Sequence, residues 1–356
     1  MSRQLLVTGA AGFIGANFVH YWAEAHNDDK IVGYDALTYA GNLASLDSLG
    51  DNENFSFVHD NICDSDAVTA VMREHNIDTI VHFAAESHVD RSITGPDDFI
   101  ETNIVGTHSL LKAAREVWLN SGQVIPHRFH HVSTDEVYGS LAPGAPGFFE
   151  GQAYEPNSPY SASKAASDHL VRSYHHTFGL EVSTSNCSNN YGPLHFPEKL
   201  IPLCLTNILA GLPLPVYGDG SNIRDWLYVE DHCRGIELVL QKGAVGEVYN
   251  IGGNNEWSNL AIVELMCDQM DAHFLADPEL AARFPHAPAV SGGSARDLIQ
   301  FVTDRAGHDW RYAIDASKIM SELGYAPRES FETGLKRTLT WYLSNEDWWR
   351  PLLKSA

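Results

Sequence analysis

A glycine triplet, Gly9-Ala10-Ala11-Gly12-Phe13-Ile14-Gly15, stands directly between an apolar run at residues 5–8 and a helical pattern over 14–26. Strand, glycine turn and helix in that order are what a chain needs to cradle a phosphate, because glycine alone allows both the tight turn and the close approach of backbone N–H donors. Gly9 permits the turn, Gly12 the approach to a pyrophosphate, and Gly15 the packing of helix on strand. The spacing is G-x-x-G-x-x-G, not the G-x-G-x-x-G of ordinary dehydrogenases, so the loop needs a second signal. Asp35 supplies it by ending the second apolar run about 20 residues past the last glycine, where a carboxylate accepts from the adenosine ribose hydroxyls. A simple turn residue is the competing reading. The same carboxylate would repel a 2′-phosphate, and no arginine follows in Asp35-Ala36-Leu37-Thr38, which favours NAD over NADP.

Beyond this unit, β-branched or apolar runs at 5–8, 31–34, 55–59, 79–84 and 128–133 alternate with helical patterns at 14–26, 65–75 and 97–120. Such alternation predicts an α/β fold, a doubly wound parallel sheet of the Rossmann type, with ligands in the crevice beyond the carboxyl ends of the strands. A Gly/Pro-rich stretch at 139–147 interrupts the pattern, and 159–178 resumes as a long helix. From Gly192 onward proline is more frequent and the elements are shorter. Two parts are expected: 1–191, carrying the glycine loop, and a smaller 192–356, from which the chain can re-enter the first.

Charge and composition remove several function classes. The 23 Lys+Arg against 46 Asp+Glu leave a formal charge of -23, whereas nonspecific nucleic-acid binding needs clustered cations. No stretch reaches the roughly 18 apolar residues of a membrane helix. Five scattered cysteines, without a C-x-x-C pair, read as free core thiols and not as a zinc site. His130-His131 and His175-His176 are adjacent pairs that point to different faces of a strand or helix, so no metal site is expected. Met1-Ser2-Arg3-Gln4 leads straight into Leu5-Leu6-Val7 without a secretory pattern, which makes cytoplasmic placement the expectation.

Two further clusters carry chemistry. Tyr160 and Lys164 are four residues apart behind Ser158, an N-cap, and Pro159, a first helical position, so phenol and ammonium share a helix face. An ammonium and an oxidised nicotinamide both favour phenolate, which makes the tyrosine a base for a substrate hydroxyl; a surface pair is the plain alternative. In Ser133-Thr134-Asp135-Glu136-Val137-Tyr138-Gly139, two adjacent carboxylates end the fifth strand. One kept protonated and the other ionised would divide acid and base work, unless the pair merely caps a helix.

Taken with Phe83-Ala84-Ala85-Glu86-Ser87-His88-Val89-Asp90-Arg91-Ser92, Glu101-Thr102-Asn103, Asn189-Asn190-Tyr191-Gly192-Pro193, Phe196 to Pro202, Pro215 to Gly220 and Arg224-Asp225-Trp226, these motifs resemble the extended short-chain dehydrogenases/reductases. Within them the chain is most similar to the dTDP-glucose 4,6-dehydratases, whose Thr-Asp-Glu element the 4-epimerases lack. The resemblance implies a mechanism on tightly bound NAD. Tyr160, aided by Lys164 and Thr134, takes the sugar 4-hydroxyl proton as hydride leaves C4. Glu136 then removes the C5 proton while Asp135 protonates the departing 6-hydroxyl, and hydride returns to C6 and a proton to C5 to give a 4-keto-6-deoxy sugar. A UDP-sugar 4-epimerase or decarboxylase of the same family is the alternative; a non-enzymatic NAD-binding scaffold would have decayed catalytic positions, and these are intact.

The resemblance also assigns binding roles. Gly9, Gly12, Phe13, Ile14, Gly15, Asp35, Ala36, Leu37, Thr38, Asn61, Ile62, Phe83, Ala84, Ala85, Ser87, Thr102, Tyr160, Lys164 and Asn190 would contact NAD. Ser87, Thr134, Asn189, Glu198, Lys199, Leu200, Pro215, Val216, Tyr217, Arg224, Asn259, Asp304, Arg305 and His308 would hold the nucleotide sugar, with Arg224 answering the diphosphate. Leu200, Pro215 and Val216 read equally well as core or turn residues. Asn61, Leu194 and Ala306 stand where the family commonly has an aspartate, an aromatic and a proline. A homodimer through helices near 98–118 and 159–178 is implied as well.

Overall fold

The computed structural model describes residues 2–120, 122, 125–304 and 309–354. Seven strands form one parallel sheet: β1 (Gln4–Thr8), β2 (Lys30–Asp35), β3 (Phe55–His59), β4 (Thr79–His82), β5 (Arg128–Thr134), β6 (Val182–Cys187) and a late strand, Val248–Ile251. The order across the sheet is Val248–Ile251, β6, β5, β4, β1, β2, β3. Covered on both faces, β1 and β4 are largely apolar, with Leu5, Leu6, Val7, Ile80 and Val81 fully buried, whereas β5 and β6 bury His130, His131, Ser183, Ser185 and Asn186. Strand order reverses between β1 and β4, which opens the crevice where ligands of such sheets bind.

Helices α1 (Phe13–Ala25), α2 (Ser65–Glu74), α3 (Val89–Thr94), α4 (Asp97–Phe99), α5 (Thr107–Trp118) and α6 (Pro159–Phe178) account for most of the cover. The single helix expected over 97–120 is instead three segments, because Ile100–Gly106 takes π-helical geometry between α4 and α5. Close approach explains the small residue there: a Cβ on Gly106 would lie 2.6 Å from Ile62 Cδ1. The end of α5 is anchored by Trp118, fully buried, with its indole N–H donating to the Ile77 carbonyl at 2.7 Å. Truncating it to alanine would cost about 3–5 kcal/mol.

The remaining chain builds a second layer over the carboxyl edge of the sheet. Strands β7 (Asn189–Tyr191), Glu256–Ser258 and Arg311–Tyr312 flank Ile223–Tyr228, and Leu214–Tyr217 pairs with Ile299–Val302. With α7 (Leu200–Ala210), Asn259–Ala276 and Phe331–Ser344 they enclose a core around Tyr191, Trp226, Met266 and Phe331. The chain does not stay in this layer. Helix Val229–Lys242, strand Val248–Ile251 and helix Ser317–Leu323 return to the large sheet and share a core with α1. No helix among the described residues is long and apolar enough to cross a membrane. None of the described His, Cys, Asp and Glu form a group of three or more able to hold a metal ion.

Candidate active site

At the switch point lies a cleft of about 390 Å³. Its floor is the glycine loop. Gly9 takes φ +69°, and a Cβ there would sit 2.7–2.9 Å from the backbone of Phe83 and Ala84; a Cβ on Gly15 would lie 2.0 Å from the Gly9 carbonyl oxygen. Gly12 meets only that same oxygen, at 3.3 Å, and no side chain caps the N-terminus of α1. The turn is therefore packed behind Gly9 and Gly15 and open at Gly12, with free helix N–H donors beside it, which fits a pyrophosphate. Asp35 ends β2 at the rim. Its Oδ2 accepts from the Ala11 N–H at 2.9 Å and Oδ1 from the Leu37 N–H at 2.8 Å, leaving lone pairs for ribose hydroxyls. Burial pushes this carboxyl upward and those N–H donors pull it back.

Of the residues expected at the cofactor, Gly9, Gly12, Phe13, Ile14, Gly15, Asp35, Ala36, Thr38, Asn61, Ile62, Phe83, Ala84, Ala85, Ser87, Thr102, Tyr160, Lys164 and Asn190 line this cleft. Leu37 does not: it adopts φ +50° and its side chain packs toward the apolar core beside α1. Asn61 closes its own turn, its Oδ1 accepting from the Cys63 N–H at 2.9 Å.

The residues expected to react meet at the inner end. Ser158 and Ser161 form a capping box with Pro159 at N1, which starts α6 one residue before Tyr160. Tyr160 and Lys164 are buried on the face turned to β5, and Lys164 Nζ donates to the Val132 carbonyl at 2.9 Å. β5 stops at Thr134, whose Oγ1 accepts from the Glu136 N–H at 3.3 Å and donates to Asp135 Oδ1 at 3.3 Å. That cap turns the next residues into a short helical turn, Asp135–Tyr138, which aims two neighbouring carboxylates differently. Asp135 is buried and Glu136 only half-buried. Burial first, then the charges of Glu136 and Asp225, hold the Asp135 carboxyl well above the usual range, and its Oδ2 has no partner. A carboxyl so placed favours its protonated form.

Tyr160 departs from the simple expectation. Burial and Glu136 hold its phenol well above its ordinary value, and the Thr134 hydroxyl is the group that pulls it down. The Lys164 ammonium is committed to the Val132 carbonyl and is itself depressed by burial. The protein alone thus keeps the phenol protonated, because desolvation of the phenolate and the Glu136 charge outweigh the Thr134 hydrogen bond.

The expected substrate residues fall into two places. Ser87, Thr134, Asn189, Glu198, Lys199 and Leu200 line the cleft. Glu198 is already engaged: it accepts from the Tyr39 hydroxyl at 3.1 Å and lies 3.4 Å from Arg91 Nη2 and 3.8 Å from His88 Nε2. Lys199 Nζ donates to the Ser87 carbonyl at 3.3 Å. Pro215, Val216, Tyr217, Arg224, Asn259 and Asp304 lie outside the cleft lining, in the second layer. The Val216 side chain is spent in the core, whereas Tyr217 is exposed. Arg224 is buried over the Tyr312 ring at 4.3 Å and donates to the Ile223, Asp309 and Trp310 carbonyls, yet its charge reaches Asp135. Arg305 and His308, with Ala306, lie outside the described residues.

Residues 6–338 match the family model described as GDP-mannose 4,6 dehydratase. The chain is 51% identical to the dTDP-glucose 4,6-dehydratase of Escherichia coli, over 99% of this chain and 97% of the relative, and 54% identical to that of Xanthomonas campestris pv. campestris over 99% and 96%. The chain belongs to the dTDP-glucose 4,6-dehydratase family. A crystal structure of the dTDP-glucose 4,6-dehydratase from Streptomyces venezuelae, with NAD bound, superimposes with a TM-score of 0.87 at 46% identity, covering 98% of this chain and 99% of that one. UDP-glucuronic acid 4-epimerase from Bacillus cereus, a relative outside the dehydratases, reaches a TM-score of 0.80 at 27% identity over 96% of this chain and 99% of that one.

Several cleft residues of this family member were not among the expected site residues. Cys187 is buried at the end of β6, with its thiol pushed up to about 12 by burial, and Trp226 comes from the second layer. His195 stacks on Phe13 of the glycine loop, ring centroids 4.1 Å apart and 15° between planes. A lone cysteine or histidine has no periodic pattern; Trp226 stands in the Arg224-Asp225-Trp226 motif and His195 just after Asn189 to Pro193, and those places are the signals that could have found them.

Proposed function

We propose that this chain dehydrates dTDP-glucose to dTDP-4-keto-6-deoxyglucose, with NAD held in the cleft by the glycine loop and Asp35. NAD, when bound, takes up hydride from sugar C4 and returns it at C6, and its positive ring adds to the charge that favours a Tyr160 phenolate. Tyr160 then accepts the proton of the sugar 4-hydroxyl, steadied by the Thr134 hydroxyl and the buried Lys164 ammonium. The 4-ketone acidifies C5–H, and the half-buried Glu136 removes that proton. Asp135, kept protonated by burial and by Glu136, protonates the 6-hydroxyl so that it leaves as water, and the proton held by Glu136 goes back to C5 as C6 is reduced.

The observation that carries this reading is the pairing of Asp135 and Glu136 in one cleft with Tyr160 and Lys164, one carboxyl buried and acidic in kind, the other reaching solvent. Epimerisation at C4 needs the tyrosine alone. Purified protein incubated with dTDP-glucose should yield a 4-keto-6-deoxy product by mass and NMR; a product that retains the 6-hydroxyl would reject the reading. A parallel incubation with UDP-glucose measures nucleotide preference.

A homodimer through α5 and α6 is supported by the resemblance and by exposed Ile100, Val105 and Phe178 on or beside those helices. Sedimentation at micromolar concentration should then give about twice the 39.3 kDa chain mass. Placement in the cytoplasm is supported by the cysteines, which are free, four of them buried.

A further inference from the structure

Asp168 is a buried carboxylate, 6% exposed, that the mechanism above does not use. It lies four residues beyond Lys164 on the buried face of α6, the spacing at which opposite charges on a helix meet. Its Oδ1 is 3.0 Å from His131 Nε2, and its Oδ2 accepts from Ser133 Oγ at 2.9 Å. Lys164 Nζ takes the carbonyl of the residue between them, Val132. Three consecutive residues of β5 are thus tied to two side chains one turn apart on α6. The next three residues are Thr134, Asp135 and Glu136.

We propose that Asp168 is a positioning residue for the reaction: its carboxylate is the fixed counter-charge of the Lys164 ammonium, and the same carboxylate locks the end of β5 to α6. An apolar side chain would have packed the helix at lower cost, since a buried carboxylate must be matched by donors and charge. His131 does not neutralise it. Burial holds that imidazole well below its ordinary value, so it is neutral and donates from Nε2, which leaves Nδ1 buried without a partner. Lys164 is the first charge acting on Asp168, and Asp168 is the first charge opposing the burial that strips Lys164 of its proton. The other titratable groups facing Asp168 are His169 on its own helix, Tyr154, which hydrogen bonds to it, and Tyr138. Those hydroxyls stay protonated and carry no charge.

This inference rests on the dehydratase reading, and the test separates the two. Wild-type protein holding its NAD is first assayed with dTDP-glucose; absence of a 4-keto-6-deoxy product sinks the reading itself. With turnover in hand, kcat is followed against pH for wild type, Asp168→Asn, Asp168→Glu and Ser133→Ala. In D168N the alkaline limb, where Lys164 loses its proton, should move down by about one pH unit, as removal of a buried opposite charge one helical turn away predicts. KM for dTDP-glucose and bound NAD should stay within about twofold, because Asp168 touches neither. D168E should restore the limb.

Asp168 is pushed up to about 6, so its protonation should also shape the acid limb of the wild type. Ser133→Ala removes a donor to that carboxylate, raises it further and should move the acid limb upward. A loss of kcat in D168N with both limbs in place, or a limb shift in D168E equal to that in D168N, overturns the proposal. Should D168N fail to fold, an unmoved acid limb in S133A overturns it instead.

Discussion

Asn103 Nδ2 donates to Ser163 Oγ at 2.8 Å, and this contact joins the π-helical turn to the helix that carries Tyr160 and Lys164. The same amide donates to the Glu86 carbonyl at 3.0 Å and its Oδ1 accepts from the Glu86 N–H at 2.9 Å. One buried side chain therefore fixes the loop after β4, which lines the cofactor cleft, against the reactive helix. π-Helical turns recur at functional sites because they aim a side chain that an α-helix would turn away.

Asn103→Ala leaves the Glu86 peptide and Ser163 without that partner. The expected loss of stability is about 2–4 kcal/mol, from two to three buried hydrogen bonds with groups left unsatisfied. Urea unfolding measures it, and NAD content after gel filtration should fall in parallel. Full stability would show that the amide is incidental.

Gly15→Ala tests the floor of the cleft. Its Cβ would lie 2.0 Å from the Gly9 carbonyl, a backbone atom that cannot swing aside, so the loop itself must shift. Overpacking of this kind costs about 1–3 kcal/mol or more. The variant should purify with little NAD, and unchanged cofactor content would contradict the packed-turn account.

Asp135 should trade stability for activity. Its carboxyl is raised above the 3.8 of the unfolded chain, so between that value and its folded one the native state holds a proton that the unfolded state has released. Stability then falls as pH rises through that window. Asp135→Asn removes this penalty. The variant should be more stable than wild type at pH 8 by about 1 kcal/mol or more, and the gap should shrink toward pH 4. Denaturant curves at both pH values decide it, and a variant less stable at pH 8 would mean the site accepts the charge easily.

The large sheet was legible as far as β5, where the layers of its sequence agree, but not at β6, whose buried Ser183, Thr184, Ser185 and Asn186 give no apolar run. Continuous apolar strands, a glycine turn after β1 and a capped helix at Ser158 each point to one arrangement. The helix break at Ile100–Gly106 was not legible, since π geometry leaves the apolar pattern almost unchanged. Tyr160, Lys164, Asp135 and Glu136 could be read as a set from spacing and position at a strand end. Their environments could not: the upward shift of the Tyr160 phenol follows from burial contributed by distant segments. The return of Val248–Ile251 to the sheet edge was likewise open, because four residues carry too short a period to place.

The division of labour between the two acids is the central claim, and Glu136→Gln in D₂O tests it most directly. With dTDP-glucose under single-turnover conditions, the variant should still oxidise C4, seen as reduced-cofactor absorbance, while deuterium no longer exchanges into C5 and no water is lost. Simultaneous loss of C4 oxidation and C5 exchange, or persistence of C5 exchange, would contradict the assignment of Glu136 as the base and Asp135 as the acid.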